Sequence, residues 1–153
     1  MYKRQHRLVA GRPLVLGGVT IPFHLGLLGH SDADALAHAA MDAMLGACAL
    51  GDIGKLFPDT DPQYAGICSL TLLTQVLRRT LAQGYALSNL DATIVAQQPK
   101  LAPHIPAMRA KLAAAMACGQ ERISIKATTP EGCGPEGALE SITVRCVCSM
   151  EAI

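Results

Sequence analysis

Three ionisable side chains, Asp34, His38 and Asp42, recur at a spacing of four where almost every other residue from 33 to 48 is Ala, Leu, Met or Cys. This spacing predicts one polar stripe along a helix that is otherwise apolar. A histidine with carboxylates one turn away can be fixed in one tautomer, which leaves its other ring nitrogen free to bind a cation. His38 is therefore either a hydrogen-bonded core residue or a metal ligand.

Both a hydrogen-bonded core position and a metal site at His38 require further residues. Ser31 and Asp34 match a capping box, which predicts that Ser31 caps the helix and that Asp34 bonds back to the Ser31 amide. The other histidines that could join His38 are His6, His24, His30 and His104.

Two loops carry further polar groups. The segment GDIGKLFPDTDP lacks the first glycine and the hydroxyl residue of a P-loop, so a Walker site is excluded. Its polar side chains can accept hydrogen bonds from sugar hydroxyls or form Asx-turns. In IKATTPEG, residues Lys126, Thr128, Thr129 and Glu131 either contact phosphate and metal or simply end a strand.

The elements that position these groups follow from hydrophobic periodicity. The sequence predicts two short strands in PLVLGGVTIPF, helices over residues 31–48 and 69–84, a strand in NLDATIVAQ, a Pro-started helix ending at Gly119, and strands in RISIKATT and SITVRCVCS. This order predicts an α/β (α+β) fold, a two-layer sandwich in which helices cover a mixed four-stranded sheet.

Composition limits the class of protein. The 153 residues fit a single domain, residues 1–153, and 50% are hydrophobic while 16% are charged, so part of the aliphatic surface is expected to be buried against copies of the same chain. A net charge of +1 argues against nucleic acid as a partner, and no apolar run is long enough to cross a membrane. Six cysteines without a C-x-x-C pair predict buried free thiols and a cytoplasmic protein.

Together, HRLVAGRPLVLGGVTIP, HSDADALAHA, GDIGKLFPDTDP, QQPKLAPHIPAMR and IKATTPEG closely resemble the 2-C-methyl-D-erythritol 2,4-cyclodiphosphate synthase family of the non-mevalonate isoprenoid pathway. The resemblance implies a homotrimer with active sites between neighbouring subunits. It also implies a phosphorus-oxygen lyase that acts on 4-diphosphocytidyl-2-C-methyl-D-erythritol 2-phosphate. The substrate's 2-phosphate attacks the β-phosphorus and expels CMP, so the protein supplies positioning and electrostatic stabilisation.

The resemblance also implies roles for individual residues. His30 and Thr129 match the catalytic positions, and His6 and His38 match the histidine ligands of a divalent metal, usually zinc. Glu131 matches a ligand of a second divalent ion, magnesium or manganese. The implied substrate contacts, including an erythritol loop and a cytosine pocket read by backbone groups, are His6, His30, Ser31, Asp52, Ile53, Gly54, Phe57, Pro58, Asp59, Thr60, Asp61, Ala96, Gln97, Gln98, Pro99, Lys100, Leu101, Ala102, Thr128, Thr129 and Glu131.

Two segments depart from the family pattern. The family opens with a strand ending in D-x-H, whereas this chain reads MYKRQH and has Arg4 in the place of the aspartate ligand. We interpret this either as a wrong or truncated start or as a degraded metal site. After Thr129, Pro130, Pro135 and Ala138 replace a hydroxyl residue, an aromatic residue and an arginine. The alternative function is a catalytically impaired trimer that still binds cytidine nucleotides.

Overall fold

A five-stranded mixed sheet forms one layer of the computed structural model, which describes residues 1–153. The strands are β1 (Tyr2–Ala10), β2 (Leu14–Leu16), β3 (Val19–Ile21), β4 (Leu25–Leu27), β5 (Tyr85–Val95), β6 (Ile123–Thr128) and β7 (Ser141–Ala152). The strand order in the sheet is β4-β1-β7-β5-β6, in which β5 and β6 are parallel and all other neighbours are antiparallel. The helices are α1 (Ala35–Ala47), α2 (Ile53–Leu56), α3 (Ser69–Ala82), α4 (Ile105–Ala115) and α5 (Gly134–Gly137).

The predicted α+β class with a mixed sheet is confirmed, but the prediction of four strands was wrong. Strands β2 and β3 form a separate hairpin, while the basic opening segment and a short strand near residue 26 join the main sheet. Lys3, Gln5 and Arg7 alternate on the exposed face of β1, which explains why a search for apolar residues missed that strand. Residues 2–5, which depart from the family pattern, pair with β7 in continuous register.

The core lies between the sheet and a layer of three helices. Helix α1 packs on β7 and β1, α3 packs on α1 and β5, and α4 packs on β6. Because α1 lies between the sheet and α3, its residues from Ala35 to Leu45 are all buried. This burial explains why the helix is apolar on nearly every face.

Asp34, not Ser31, caps α1, so the predicted capping box was wrong. The Asp34 carboxylate accepts hydrogen bonds from the amides of Leu36 and Ala37 and also from those of Gly17 and Gly18, at 2.9 and 2.7 Å. Both glycines have positive φ in the β2–β3 turn, which directs their amides towards the carboxylate. Asp34 therefore joins the hairpin to the start of the helix.

The cysteines only partly match the prediction of buried thiols. All six are free, and Cys146 is buried, but Cys68 and Cys133 are exposed. Both exposed cysteines lie immediately before a helix, where the chain runs over the surface. None of the helices has the length and apolar character that a membrane span requires.

Candidate active site

A cavity of about 300 Å³ opens between β1, the start of α1 and the segment around α2. Eight of its twelve lining residues match predicted site positions: His6, His30, Ser31, His38, Ile53, Gly54, Phe57 and Asp59. The other four are Arg4, Gly29, Tyr64 and Leu72. The fold thus brings together the predicted metal histidines, one predicted catalytic residue and part of the predicted erythritol loop.

Two imidazoles face each other in this cavity. His6 projects from β1 and His38 from α1, and His6 Nε2 lies 3.2 Å from His38 Nδ1. The opposite nitrogen of His6, Nδ1, lies 2.9 Å from the carbonyl oxygen of Leu28. The opposite nitrogen of His38, Nε2, lies 2.9 Å from Ser69 Oγ and 3.2 Å from Ser31 Oγ. Each ring is therefore held from behind by a polar partner.

Neither carboxylate of the original stripe orients His38, so that expectation was wrong. Asp34 caps the helix, and Asp42 accepts hydrogen bonds from the Ile53 amide at 2.8 Å and from Arg4 Nε at 3.0 Å. The spacing correctly placed the three side chains on one stripe of α1. Because the helix is buried on all sides, however, each turn of that stripe contacts a different part of the structure.

Burial favours the neutral form of both histidines. Desolvation lowers the pKa of His38 to about 3, and electrostatic repulsion from a protonated His6 and from Arg4 acts in the same direction. Burial also lowers the pKa of His6, although its contact with the Leu28 carbonyl opposes the effect. Neutral imidazoles retain the lone pairs that a metal ligand needs.

The histidine pair fits two corners of a tetrahedral zinc site. Two ligands about 2.0–2.1 Å from zinc are separated by about 3.3 Å in a tetrahedron, close to the 3.2 Å between the two nitrogens. The chain contains no cluster of three His, Cys, Asp or Glu side chains that could hold a metal alone. Arg4 stands beside the pair instead, and its cation is held by Asp42 at 2.9 Å. The protein therefore offers two donors, and the adjacent positive charge opposes cation binding.

The predicted erythritol loop forms one wall of the cavity. Asp52 caps α2, and Asp61 caps a turn at residues 62–64, so both carboxylates make the Asx-type bonds that were the structural alternative. Phe57 packs edge-on against Tyr64, with ring centroids 5.4 Å apart. His30 Nε2 contacts the Asp61 carbonyl oxygen at 3.0 Å, which links the predicted catalytic residue to this wall. Pro58 and Thr60 belong to the same segment but do not line the cavity.

The remaining predicted residues, except Glu131, line a second cavity of about 450 Å³. It is lined by Ala96, Gln97, Gln98, Pro99, Lys100, Leu101, Ala102, Ala127, Thr128 and Thr129, and it shares no residue with the first cavity. The exposed Glu131 accepts a hydrogen bond from Thr129 at 2.6 Å. Lys126 forms an ion pair with Asp91 and does not line this cavity. Within one chain, Thr129 and Glu131 are thus separated from the histidine pair.

Sequence reasoning missed several residues around the first cavity. Tyr64 and Leu72 line it, and Ser69 and Asp32 support His38 from outside it. Asp32 is the aspartate of the HSD motif, which was a signal for it. Ser69 lies 37 residues further along the chain, and no local pattern connects the two.

The chain is similar to several known proteins. The model of the YgbB family matches residues 3–151. A curated relative from Geobacter sulfurreducens, 2-C-methyl-D-erythritol 2,4-cyclodiphosphate synthase, is 58% identical over 146 residues, which cover 95% of this chain and 93% of the relative.

Solved structures share the fold. The chain matches a structure of 2C-methyl-D-erythritol-2,4-cyclodiphosphate synthase in a CDP-bound form with a TM-score of 0.89 and 40% identity, covering 97% of each chain. It also matches the bifunctional IspDF from Campylobacter jejuni with a TM-score of 0.95 and 39% identity, covering 99% of this chain but 41% of that one.

Proposed function

Because this chain belongs to the YgbB family, and its relatives are 2-C-methyl-D-erythritol 2,4-cyclodiphosphate synthases, we propose that it catalyses the reaction of those enzymes. It converts 4-diphosphocytidyl-2-C-methyl-D-erythritol 2-phosphate into 2-C-methyl-D-erythritol 2,4-cyclodiphosphate and CMP. The observation that carries this assignment is that His6, His30, Ser31 and His38 of this family member converge on one cavity. The protein is therefore a phosphorus-oxygen lyase of the non-mevalonate isoprenoid pathway.

The reaction exchanges one phosphorus-oxygen bond for another. An oxygen of the 2-phosphate attacks the β-phosphorus, the bond to the α-phosphate oxygen breaks, and CMP leaves with that electron pair. Water is not consumed, and no protein nucleophile is required. The protein must hold two anionic groups in line and offset their charge.

The first cavity offers groups for that task. His30 and Ser31 lie at the start of the segment that leads into α1, where the Ser31 hydroxyl can donate a hydrogen bond to the 2-phosphate. The α2 wall, with Gly54, Phe57 and Asp59, is placed to contact the erythritol portion and to limit water around it. Thr129 is proposed to act near the β-phosphate from the second cavity.

His6 and His38 would hold a divalent ion, with zinc the expected metal, and Glu131 would hold a second one, magnesium or manganese. When bound, such ions neutralise phosphate charge and polarise phosphorus-oxygen bonds. The facing nitrogens of the histidine pair support the first assignment. With only two protein donors there, substrate phosphate oxygens would have to complete the coordination.

We propose that the chain assembles as a homotrimer in which each active site combines the first cavity of one subunit with the second cavity of its neighbour. The separation of the two cavities within one chain supports this arrangement. The sheet also leaves one face uncovered by helices, where Lys3, Arg145 and Val147 are exposed. A neighbouring subunit would cover this face.

The second cavity is the proposed cytidine site. Residues 96–102 line it, and backbone amides and carbonyls of this segment would read a cytosine edge without charged groups. A related structure has CDP bound. We expect the enzyme to act in the cytoplasm, because six free thiols suit a reducing compartment.

The direct test is incubation of the chain with the diphosphocytidyl substrate, zinc and magnesium. CMP is followed by chromatography, and the phosphorus product is identified by ³¹P NMR. The proposal predicts equal amounts of CMP and cyclic diphosphate. Binding of CDP without any CMP release would contradict the proposal and favour an impaired nucleotide-binding trimer.

A further inference from the structure

We propose that Ser69, held by Asp32, is a positioning residue that fixes the tautomer of His38 and thereby directs the His38 Nδ1 lone pair into the first cavity. This inference deepens the proposed function, because it concerns how the histidine pair is prepared for a cation. Its basis is a chain of contacts from Asp32 through Ser69 and His38 to His6, in which each proton can be assigned.

The assignment begins at Asp32, whose carboxylate accepts hydrogen bonds and has none to give. It accepts hydrogen bonds from the Ser69 hydroxyl, from the Ser69 amide at 3.0 Å and from the Asp34 amide at 3.2 Å. A serine hydroxyl has a single proton. The Ser69 proton is therefore committed to Asp32, and Ser69 Oγ presents only lone pairs to its other neighbour.

That neighbour is His38 Nε2, at 2.9 Å. Two lone pairs at this distance would repel, so Nε2 must carry the proton and donate it to Ser69. Ser31 Oγ lies 3.2 Å from the same nitrogen, and because Nε2 carries the proton, Ser31 is a second, longer acceptor that also accepts the Ala33 amide. A neutral imidazole has one N–H, so His38 Nδ1 bears a lone pair.

A contact with the backbone likewise leaves His6 with a lone pair on the nitrogen that faces His38. The Leu28 carbonyl can only accept, so His6 Nδ1 carries the proton and donates at 2.9 Å. His6 Nε2 then bears a lone pair that points at His38 Nδ1 from 3.2 Å. Because both facing nitrogens bear lone pairs, the two neutral rings cannot hydrogen-bond to each other. They instead present two electron-pair donors to one shared position, which suits a bound cation.

Packing alone does not select a tautomer, since both tautomers of an imidazole have nearly the same shape. The selection requires a fixed polar partner, and Ser69 is fully buried at the first position of α3. Two bonds from Ser69 to Asp32 hold it there. A rigid acceptor behind a ligand histidine raises metal affinity by orienting the ring.

The test compares the unmodified chain with Ser69→Ala and with Thr80→Val. Thr80→Val removes another buried hydroxyl of α3, one that donates to the Leu77 carbonyl and not to His38. Long-range ¹H–¹⁵N correlation spectra of the metal-free proteins report which ring nitrogen of His38 carries the proton. Titration with zinc alone, against a chromophoric chelator, reports the affinity.

We expect the proton on Nε2 in the unmodified chain and in Thr80→Val, and a mixture of tautomers in Ser69→Ala with zinc affinity lowered about tenfold to a hundredfold. A proton on Nδ1 in the unmodified chain, or an unchanged tautomer in Ser69→Ala, would overturn the proposal. The spectrum of the unmodified chain decides the matter even if Ser69→Ala does not fold. Neither readout requires substrate turnover, so failure of this inference is distinguishable from failure of the proposed reaction.

Discussion

The two cavities of this chain are built in opposite ways. The first is surrounded by core elements, and His38 and Ser31 are buried within a connected set of hydrogen bonds. The second lies at the end of β6, where Thr128, Thr129 and Lys100 are exposed and few side-chain bonds fix them. The difference teaches that one chain can prepare the first cavity alone, whereas in the proposed trimer a neighbouring subunit would complete the second.

The largest expected effect concerns the chemistry of the first cavity. His38→Ala should lower the rate of CMP release about a thousandfold, about 4 kcal/mol of transition-state stabilisation, because it removes half of the histidine pair. CDP affinity measured without added metal should change less than about threefold, since that pocket lies elsewhere. His24→Ala, which removes an exposed histidine, is the matched control. A large loss of CDP affinity in His38→Ala would contradict the separation of the cavities.

A large effect on stability is expected at the start of α1. Asp34→Ala leaves four amides, three of them buried, without their acceptor and should lower the free energy of unfolding by about 3 kcal/mol. Asp52→Ala, at the cap of α2, loses one bond at an exposed site and should cost about 1 kcal/mol or less. Urea denaturation of both variants measures the difference. Equal losses would show that the two caps are equivalent.

Arg4 is expected to weaken cation binding in the first cavity. Arg4→Asp exchanges the cation beside the histidine pair for a carboxylate and should raise zinc affinity tenfold or more, about 1.4 kcal/mol. Lys3→Asp makes the same charge change on the exposed face of β1 and should raise zinc affinity much less. Competition titration with a chelator provides the measurement. An unchanged affinity in Arg4→Asp would contradict our interpretation of the first five residues.

Acid should destabilise the fold through His38. In the unfolded chain His38 takes up a proton below its ordinary pKa of 6.5, whereas in the fold its pKa is lowered to about 3. The unfolded state therefore binds more protons between these values, and stability falls as pH decreases, by at most about 1.4 kcal/mol per pH unit. His38→Gln should show a shallower loss between pH 6.5 and 5 in urea denaturation. Identical slopes would contradict a buried, neutral His38.

The smallest effect is expected in the second cavity. Lys100 is exposed and makes no side-chain bond within the chain, so Lys100→Ala should change the free energy of unfolding by less than about 0.5 kcal/mol. Thermal or urea denaturation of the isolated protein measures it. A loss as large as that of Asp34→Ala would show that the second cavity is as firmly built as the first.

The sequence predicted the elements that carry strong periodicity and missed those that depend on tertiary contacts. Helices α1 and α3 were predicted within a few residues, and the glycine pair of the first hairpin was recognised. Strand β1 was missed because its exposed face carries basic side chains. Residue-level resemblance identified His6 and His38 as a pair, and the fold places their nitrogens 3.2 Å apart.

The supporting network could not be predicted, for a physical reason. Asp42 was expected to orient His38 because helical spacing places them one turn apart, but Arg4 and the Ile53 amide occupy its carboxylate. Ser69 performs that support from a different helix, and only packing of α3 against α1 brings it near. Spacing along one helix indicates a shared stripe, whereas the partner of each side chain is set by the element packed on it.

The most direct test of the central claim, that an active site combines the two cavities of neighbouring subunits, is complementation between His38→Ala and Thr129→Ala. Each variant alone should release CMP slowly. After the two are mixed and their subunits allowed to exchange, about a quarter of the sites in a random trimer would pair an intact first cavity with an intact second one. The account predicts recovery of about a quarter of the unmodified activity. Activity no greater than the average of the separate variants, with subunit exchange verified by native mass spectrometry, would contradict it.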